Sequence, residues 1–396
     1  MDKTFDAAVI GAGIIGAAVA AELCRQHPDW RVLVIEKSTA PARHQTGRNS
    51  GVIHSGVYYT PDSLKARLCR EGLEQTYAYC ATHGIPVEQR GKLLVATDAA
   101  ELTRLDALEE RAARNDVASE RLDKAALLAI EPHIAGLGAL RIPSTGIVDY
   151  VAMTRALLAE VETAGGTLMF NTPLTGLSAR GDAWTLTTSN GPIHAARVVL
   201  CGGLQSDRLA RMAGLQTDMR ILPFRGEYFT LPAHRADIVH HLIYPVPDPS
   251  LPFLGVHLTP MIDGTLTVGP NAVLSLAREG YGKLSVNLRD AADALGYAGL
   301  WRTLTRHPRA VALEIASAIS RRRYLRLVQK YCPALTLSDL AGYHAGNRAQ
   351  LVRRDGTLVD DFLILDAPGL TAVLNAPSPA ATSALPIARH ICAQVQ

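Results

Sequence analysis

The sequence predicts an α/β protein in two parts: a nucleotide-binding domain on parallel strands, assembled from discontinuous segments, and an α+β domain with a mostly antiparallel sheet. Three observations carry this. A strand, glycine turn, helix and second strand fill the first thirty-six residues. Strands ending in glycine or proline turns recur near residues 197 and 370. The stretches between read as short strands divided by Pro and Asp-Gly turns. At 396 residues, 48% hydrophobic and 19% charged, the chain can bury two cores. Disorder, a disulfide-stapled miniprotein and a fibrous repeat are excluded.

Taken in order, Asp6 to Ile10 is an apolar run of strand length, and Gly11-Ala12-Gly13-Ile14-Ile15-Gly16 follows as GxGxxG. An Ala-rich helix runs to about Gln26, and a strand from Trp30 to Ile35 ends at Glu36, twenty residues after Gly16. Gly11 permits the tight turn, Gly13 admits a pyrophosphate to the backbone, and Gly16 lets helix and strand pack closely. The helix N-terminus offers unpaired N–H groups to phosphates, and Glu36 can accept both ribose hydroxyls. This is a Rossmann-like unit; the motif alone leaves FAD and NAD open. Later, Arg197 to Leu200 is a strand ending at Gly202-Gly203, with a helix from about Ser206. Leu370 to Leu374 is another, and Pro377-Ser378-Pro379 leads to a helix from about Ala380, whose N-terminus could face the cofactor ring.

Other function classes are excluded by composition. The net charge is only +3, so no nucleic-acid partner is expected. The six cysteines are scattered without a CxxC pair, so neither a metal site nor a disulfide framework is expected, and a reducing compartment fits. The N-terminus lacks a basic n-region, and the uncharged stretch at residues 7–21 is too short to span a bilayer. A cytoplasmic location is expected.

After Glu36 the segment Ala42 to Tyr59 is rich in Gly and small polar side chains. Together with Ser63 to Arg67, Gly91 to Thr97, Pro143 to Asp149, Phe224 to Tyr228, Tyr244 to Pro249, Phe253 to Pro260, Thr267 to Ala272, Arg348 to Gln350, Leu358 to Phe362 and Asn375 to Thr382, it resembles a known group nearly end to end. The group is the FAD-dependent oxidoreductases of the D-amino-acid-oxidase-like superfamily, and within it the L-2-hydroxyglutarate oxidase/dehydrogenase family. The resemblance implies non-covalent FAD, oxidation of L-2-hydroxyglutarate to 2-oxoglutarate with hydride passing to flavin N5, and reoxidation by membrane quinone or oxygen. FAD contacts are expected at Gly11, Gly13, Ile15, Gly16, Glu36, Lys37, Thr46, Asn49, Ser50, Val52, Gly202, Gly203, Pro377, Ser378, Ala380 and Ala381. The expected partition is 1–81, 141–215 and 336–396 for the FAD domain, and 82–140 and 216–335 for the substrate domain.

Oxidising a 2-hydroxy acid needs a base for the hydroxyl proton and cations for the carboxylates. Two of the thirteen histidines stand out as the base: His54, between Gly51 and Gly56, and His257, in a strand of the substrate sheet. Arg225 and Arg348 are the leading carboxylate ligands, with Tyr244, Lys65 and Lys92 behind them. Asn347 stands where the family usually has an aliphatic residue, so a pocket-lining Asn347 would alter the preferred acid. Asp360 and Asp361 are expected to be loop and cap residues. A basic amphipathic helix from Arg309 to Pro333 suggests peripheral contact with anionic lipid at the inner face of a membrane. The alternatives are a flavoenzyme for another 2-hydroxy or 2-amino acid, an NAD-dependent dehydrogenase, and a flavin-binding structural or sensor protein.

Overall fold

A computed structural model describes residues 4–248, 255–306 and 308–395. Its first sheet has eight strands. Thr4–Ile10 lies between Val32–Ile35 and Gly191–Leu200, with Thr167–Met169 beyond Val32–Ile35 and Leu370–Asn375 beside the end of Gly191–Leu200; all these pairs are parallel. Strands from the start, middle and end of the chain thus share one direction. Their carboxyl ends, at Ile10, Ile35, Leu200 and Asn375, open on one edge, where a doubly wound sheet binds its ligand. Leu174–Arg180, Ala183–Thr188 and Leu363–Ala367 add antiparallel pairs. The helices Ile14–Gln26, Tyr150–Thr163 and Ala384–Cys392 cover this sheet around a core containing Val9, Val19, Leu23, Leu157 and Ile391.

The second sheet has nine strands, antiparallel except where Leu242–Pro245 runs parallel to Lys92–Ala96. Its longest pair joins Arg220–Thr230 to Gly342–Val352 along their full length. Lys92–Ala96 is central, flanked by Leu242–Pro245 and Gly138–Ile142. A three-stranded sheet of Val52–Ile53, Gly146–Val148 and Val87–Glu88 completes the strand pairing. An α/β cofactor domain joined to a mostly antiparallel sheet is the fold the sequence predicts.

Four expectations change. Gly342–Val352 falls in the stretch assigned to the cofactor domain, yet it hydrogen-bonds along the large sheet; strand pairing overrides proximity in sequence. Val87–Glu88, assigned to the substrate domain, pairs instead with Gly146–Val148 in the small sheet. The last helix starts at Ala384, four residues after the expected point, because residues 378–383 form consecutive turns. Thr382 is held there by Thr76, whose hydroxyl donates to its carbonyl, and by His54 N, which donates to its hydroxyl. The basic stretch at 309–333 is two helices, Pro308–Ile319 and Arg321–Gln329, because Ser320 caps the second by accepting from Arg323 N. Phe253 and Leu254, the start of an expected strand, lie outside the described residues; the strand observed there is His257–Pro260.

Candidate active site

The glycine turn is built by close approaches. Gly11 has φ +110°, and a Cβ there would sit 2.5 Å from the Cys201 carbonyl oxygen; one on Gly16 would sit 1.8 Å from the Gly11 oxygen. Gly13 differs: a Cβ would meet only Thr46 Oγ1, at 3.3 Å, so this face of the turn is open to a ligand. Ile14 N, in the first turn of the helix, donates to Thr46 Oγ1 at 3.0 Å. Ile15 follows it, packed against the core. Glu36 is buried at the end of the second strand, where its oxygens accept from Ala12 N at 2.9 Å and Ser38 N at 2.8 Å. Each oxygen keeps lone pairs for a ribose hydroxyl.

The loop from Gln45 to Val52 meets this edge. Asn49 Nδ2 donates to the Gln45 and Thr46 carbonyls, and its Oδ1 accepts from Gly51 N at 2.7 Å. Gly203, at φ +51°, presses on the Gln45 side chain, so the second glycine pair abuts the same loop. The Val52 carbonyl accepts from the Tyr150 hydroxyl at 3.0 Å. The turn holding Pro377, Ser378, Ala380 and Ala381 lies opposite His54, whose Nε2 is 3.4 Å from Ser378 Oγ. An open glycine, a buried carboxylate and two further turns on one edge fit a dinucleotide.

Sequence reasoning passed over the loop at 277–283. Glu279 pairs with Lys37 and accepts from Gln205 Nε2 at 2.8 Å. The Tyr281 hydroxyl hydrogen-bonds His44 Nδ1 at 2.8 Å, and the Arg48 guanidinium lies 3.7 Å from the Tyr281 ring. The loop straps the second sheet to the Lys37–Arg48 stretch. Its glycine-punctuated charged run, Arg278-Glu279-Gly280-Tyr281-Gly282-Lys283, was the available signal.

Two expected substrate ligands hold that strap instead. Arg225 donates to Glu227 Oε1 at 3.0 Å and to the Gly282 and Lys283 carbonyls. Asn347 Nδ2 donates to the carbonyls of Ala277, Arg278 and Gly280 at 2.8–3.1 Å. Both are buried with their N–H donors engaged, so Asn347 fixes a loop where an aliphatic side chain could not, although its Oδ1 has no partner among the described residues. Lys65 is turned away in the same manner, donating to the Asp360 carbonyl and carboxylate. Asp361 Oδ1 accepts from Lys65 N at 3.1 Å at the start of the helix Leu64–Thr82, and from Phe362 N at 2.8 Å, as a cap and loop residue does.

The remaining candidates converge. His257, on the strand His257–Pro260, stacks on the Tyr244 ring at 3.9 Å, and its Nδ1 hydrogen-bonds Thr259 Oγ1 at 2.7 Å. Burial holds the Tyr244 phenol above its ordinary range, and the Thr259 and Ser50 hydroxyls beside it act the other way. Lys92 Nζ lies 4.7 Å from the Tyr244 ring and 4.9 Å from the Tyr58 ring. Burial, then Lys92 and Lys65, push His54 down to about 3; burial, then Arg348, Lys92 and His54, hold His257 well below its ordinary value. Both imidazoles are therefore neutral at neutral pH. The pocket is cationic, and an anion suits it. Among the described residues no His, Cys, Asp and Glu cluster could hold a metal ion.

Comparison with known proteins matches this picture. The FAD dependent oxidoreductase family profile matches residues 6–394. The chain is 48% identical over 393 residues to the L-2-hydroxyglutarate dehydrogenase of Escherichia coli strain K12, covering 99% of this chain and 93% of the relative. It is 40% identical over 405 residues to the mitochondrial L-2-hydroxyglutarate dehydrogenase of Mus musculus, covering 98% and 87%. Among solved structures, an FAD-bound L-α-glycerophosphate oxidase from Mycoplasma pneumoniae superposes with TM-score 0.81 at 22% identity, over 99% of this chain and 95% of the other. A glycine oxidase from Geobacillus kaustophilus gives 0.76 at 18%, over 99% and 94%.

Proposed function

We infer the activity from one premise: the chain belongs to the FAD-dependent oxidoreductase family. It is an FAD-dependent enzyme that oxidises L-2-hydroxyglutarate to 2-oxoglutarate. The observation that carries this reading is near-full-length identity of 48% to L-2-hydroxyglutarate dehydrogenase, in a chain whose pocket is cationic with two neutral histidines. FAD, when bound, supplies the two-electron acceptor for the C2 hydrogen. The residues fit to hold it are Gly11, Gly13, Ile15, Gly16, Glu36 and Lys37, the loop Thr46, Asn49, Ser50 and Val52, and Gly202, Gly203, Pro377, Ser378, Ala380 and Ala381. We assign 1–88, 141–215 and 353–396 to its domain, and the rest, with the strand Gly342–Val352, to the substrate domain.

His54, whose Nε2 faces the Ser378 turn, takes the hydroxyl proton. His257, its ring covered by Tyr244 and its Nδ1 held by Thr259, orients the substrate. Arg348 receives one carboxylate. Anaerobic addition of L-2-hydroxyglutarate to the FAD-loaded enzyme should bleach its flavin absorption; a fully loaded enzyme that stays yellow would exclude this substrate.

Electrons leave to a membrane quinone in this reading. Leu284, Leu288 and Ile319 are 93%, 85% and 81% exposed, and Lys283 Nζ donates to the Ala318 carbonyl, tying the Leu284 loop to the helix end carrying Ile319. Exposed Arg289, Arg322 and Arg323 accompany them. Apolar side chains among arginines suit an anionic lipid surface. Among the described residues no helix is long and apolar enough to cross a membrane. Co-sedimentation with anionic vesicles should be lost in Leu284→Ser/Leu288→Ser; equal binding by wild type and variant would remove this surface from the proposal.

A further inference from the structure

Four cations are buried among the described residues: Lys65, Lys92, Arg225 and Arg278. Three have carboxylates from the chain, namely Asp360 for Lys65, Glu227 for Arg225 and Asp207 for Arg278. Lys92 is 1% exposed and forms neither an ion pair nor a hydrogen bond with any described residue. The segment at 249–254, between the two strands that flank the pocket, contains no Asp or Glu that could supply one. The Lys92 backbone is fixed mid-sheet, paired with Leu242 on one side and Ile142 on the other.

The groups around its ammonium come from every wall of the pocket. Tyr58 and His54 follow the strand Val52–Ile53, Cys69 and Lys65 lie on the helix Leu64–Thr82, and Tyr244 and His257 lie on neighbouring strands. Near neutral pH all are neutral or cationic. The two tyrosine rings offer partial cation–π compensation, and the Tyr58 hydroxyl is itself buried without a hydrogen-bond partner among the described residues. A buried ammonium 4.9 Å from the ring of a buried phenol whose hydroxyl has open valence is what a carboxylate fills.

We propose that Lys92 is the specificity residue for a dicarboxylate: its ammonium, with the Tyr58 hydroxyl, receives the second carboxylate of the substrate, the one that Arg348 does not hold. This deepens the L-2-hydroxyglutarate reading above and rests on it. A monocarboxylic 2-hydroxy acid would leave Lys92 uncompensated, so the residue that admits the diacid also rejects its shorter analogues. Burial lowers Lys92 to about 8, and a bound carboxylate reverses that, so diacid binding takes up protons above pH 8.

The test uses FAD-loaded wild type, Lys92→Met and Lys92→Arg, with glutarate and butyrate as unreactive probes whose binding perturbs the flavin spectrum. In Lys92→Met, glutarate affinity should fall roughly 30-fold while butyrate changes less than about threefold. Wild-type glutarate affinity should decline about tenfold per pH unit above pH 8, and Lys92→Arg should abolish that limb. Without ligand, Lys92→Met should melt higher than wild type, because an unpaired charge leaves the interior, and glutarate should no longer raise its melting temperature. Unchanged glutarate binding in Lys92→Met overturns the proposal. So does an equal loss for both probes, which would place Lys92 on the shared carboxylate, or a lower melting temperature with retained glutarate selectivity. Failure of L-2-hydroxyglutarate to bleach wild type would strike the activity reading separately, since glutarate binding needs no turnover.

Discussion

In the nucleotide cradle the buried Glu36 has partners that the chain supplies, two backbone N–H groups, and in the strap beside it Arg278 meets Asp207 and Arg225 meets Glu227. In the substrate pocket, two histidines are held neutral, and Lys92 is buried without a carboxylate. The cradle is complete before its ligand arrives, as a site for a resident cofactor must be. The pocket stores an electrostatic cost that only an anionic substrate relieves, as suits a ligand that must come and go. Buried polarity alone therefore does not mark a substrate site. Arg225 and Asn347 are as buried as Lys92, and they hold a loop.

The contrast can be broken from either side. The largest effect is expected in the pocket: His54→Asn should slow substrate bleaching of the flavin roughly 10²–10⁴-fold with FAD content unchanged, measured by stopped-flow absorption. A wild-type rate would move the base to His257. In the cradle, Gly16→Ala places a Cβ 1.8 Å from the Gly11 oxygen and should cost roughly 3 kcal/mol with most FAD lost. Denaturant unfolding and flavin content read this, and normal loading would show the turn to be adaptable. Glu36→Gln removes only charge, and FAD affinity followed by flavin fluorescence should weaken about tenfold. The smallest change is Asn347→Leu, which deletes three hydrogen bonds to the 277–280 loop. It should destabilise the protein by roughly 1–2 kcal/mol and leave the choice of acid unaltered. A changed substrate preference in that variant would return Asn347 to the pocket wall.

By itself the sequence determined the Rossmann-like unit, because strand, glycine turn, helix and acid are neighbours in the chain and each obeys a local rule. Gly11, Gly16 and Glu36 were legible for that reason, as were the strands before Gly202 and Pro377. The family resemblance added FAD, and histidine chemistry singled out His54 and His257 as candidates. What neither could assign was who faces whom. Arg225 and Arg348 each lie one residue from the other's register partner on paired strands, Arg225 opposite Asn347 and Arg348 opposite Phe224, yet Arg225 is engaged by Glu227 and the strap. Lys65 and Lys92 looked alike in sequence, and only folding gave Asp360 to the first and left the second unpaired. Partners that distant in the chain meet through sheet register and loop packing, and burial then sets their charge. Local sequence fixes conformation within a few residues, whereas desolvation and pairing are properties of the assembled interior.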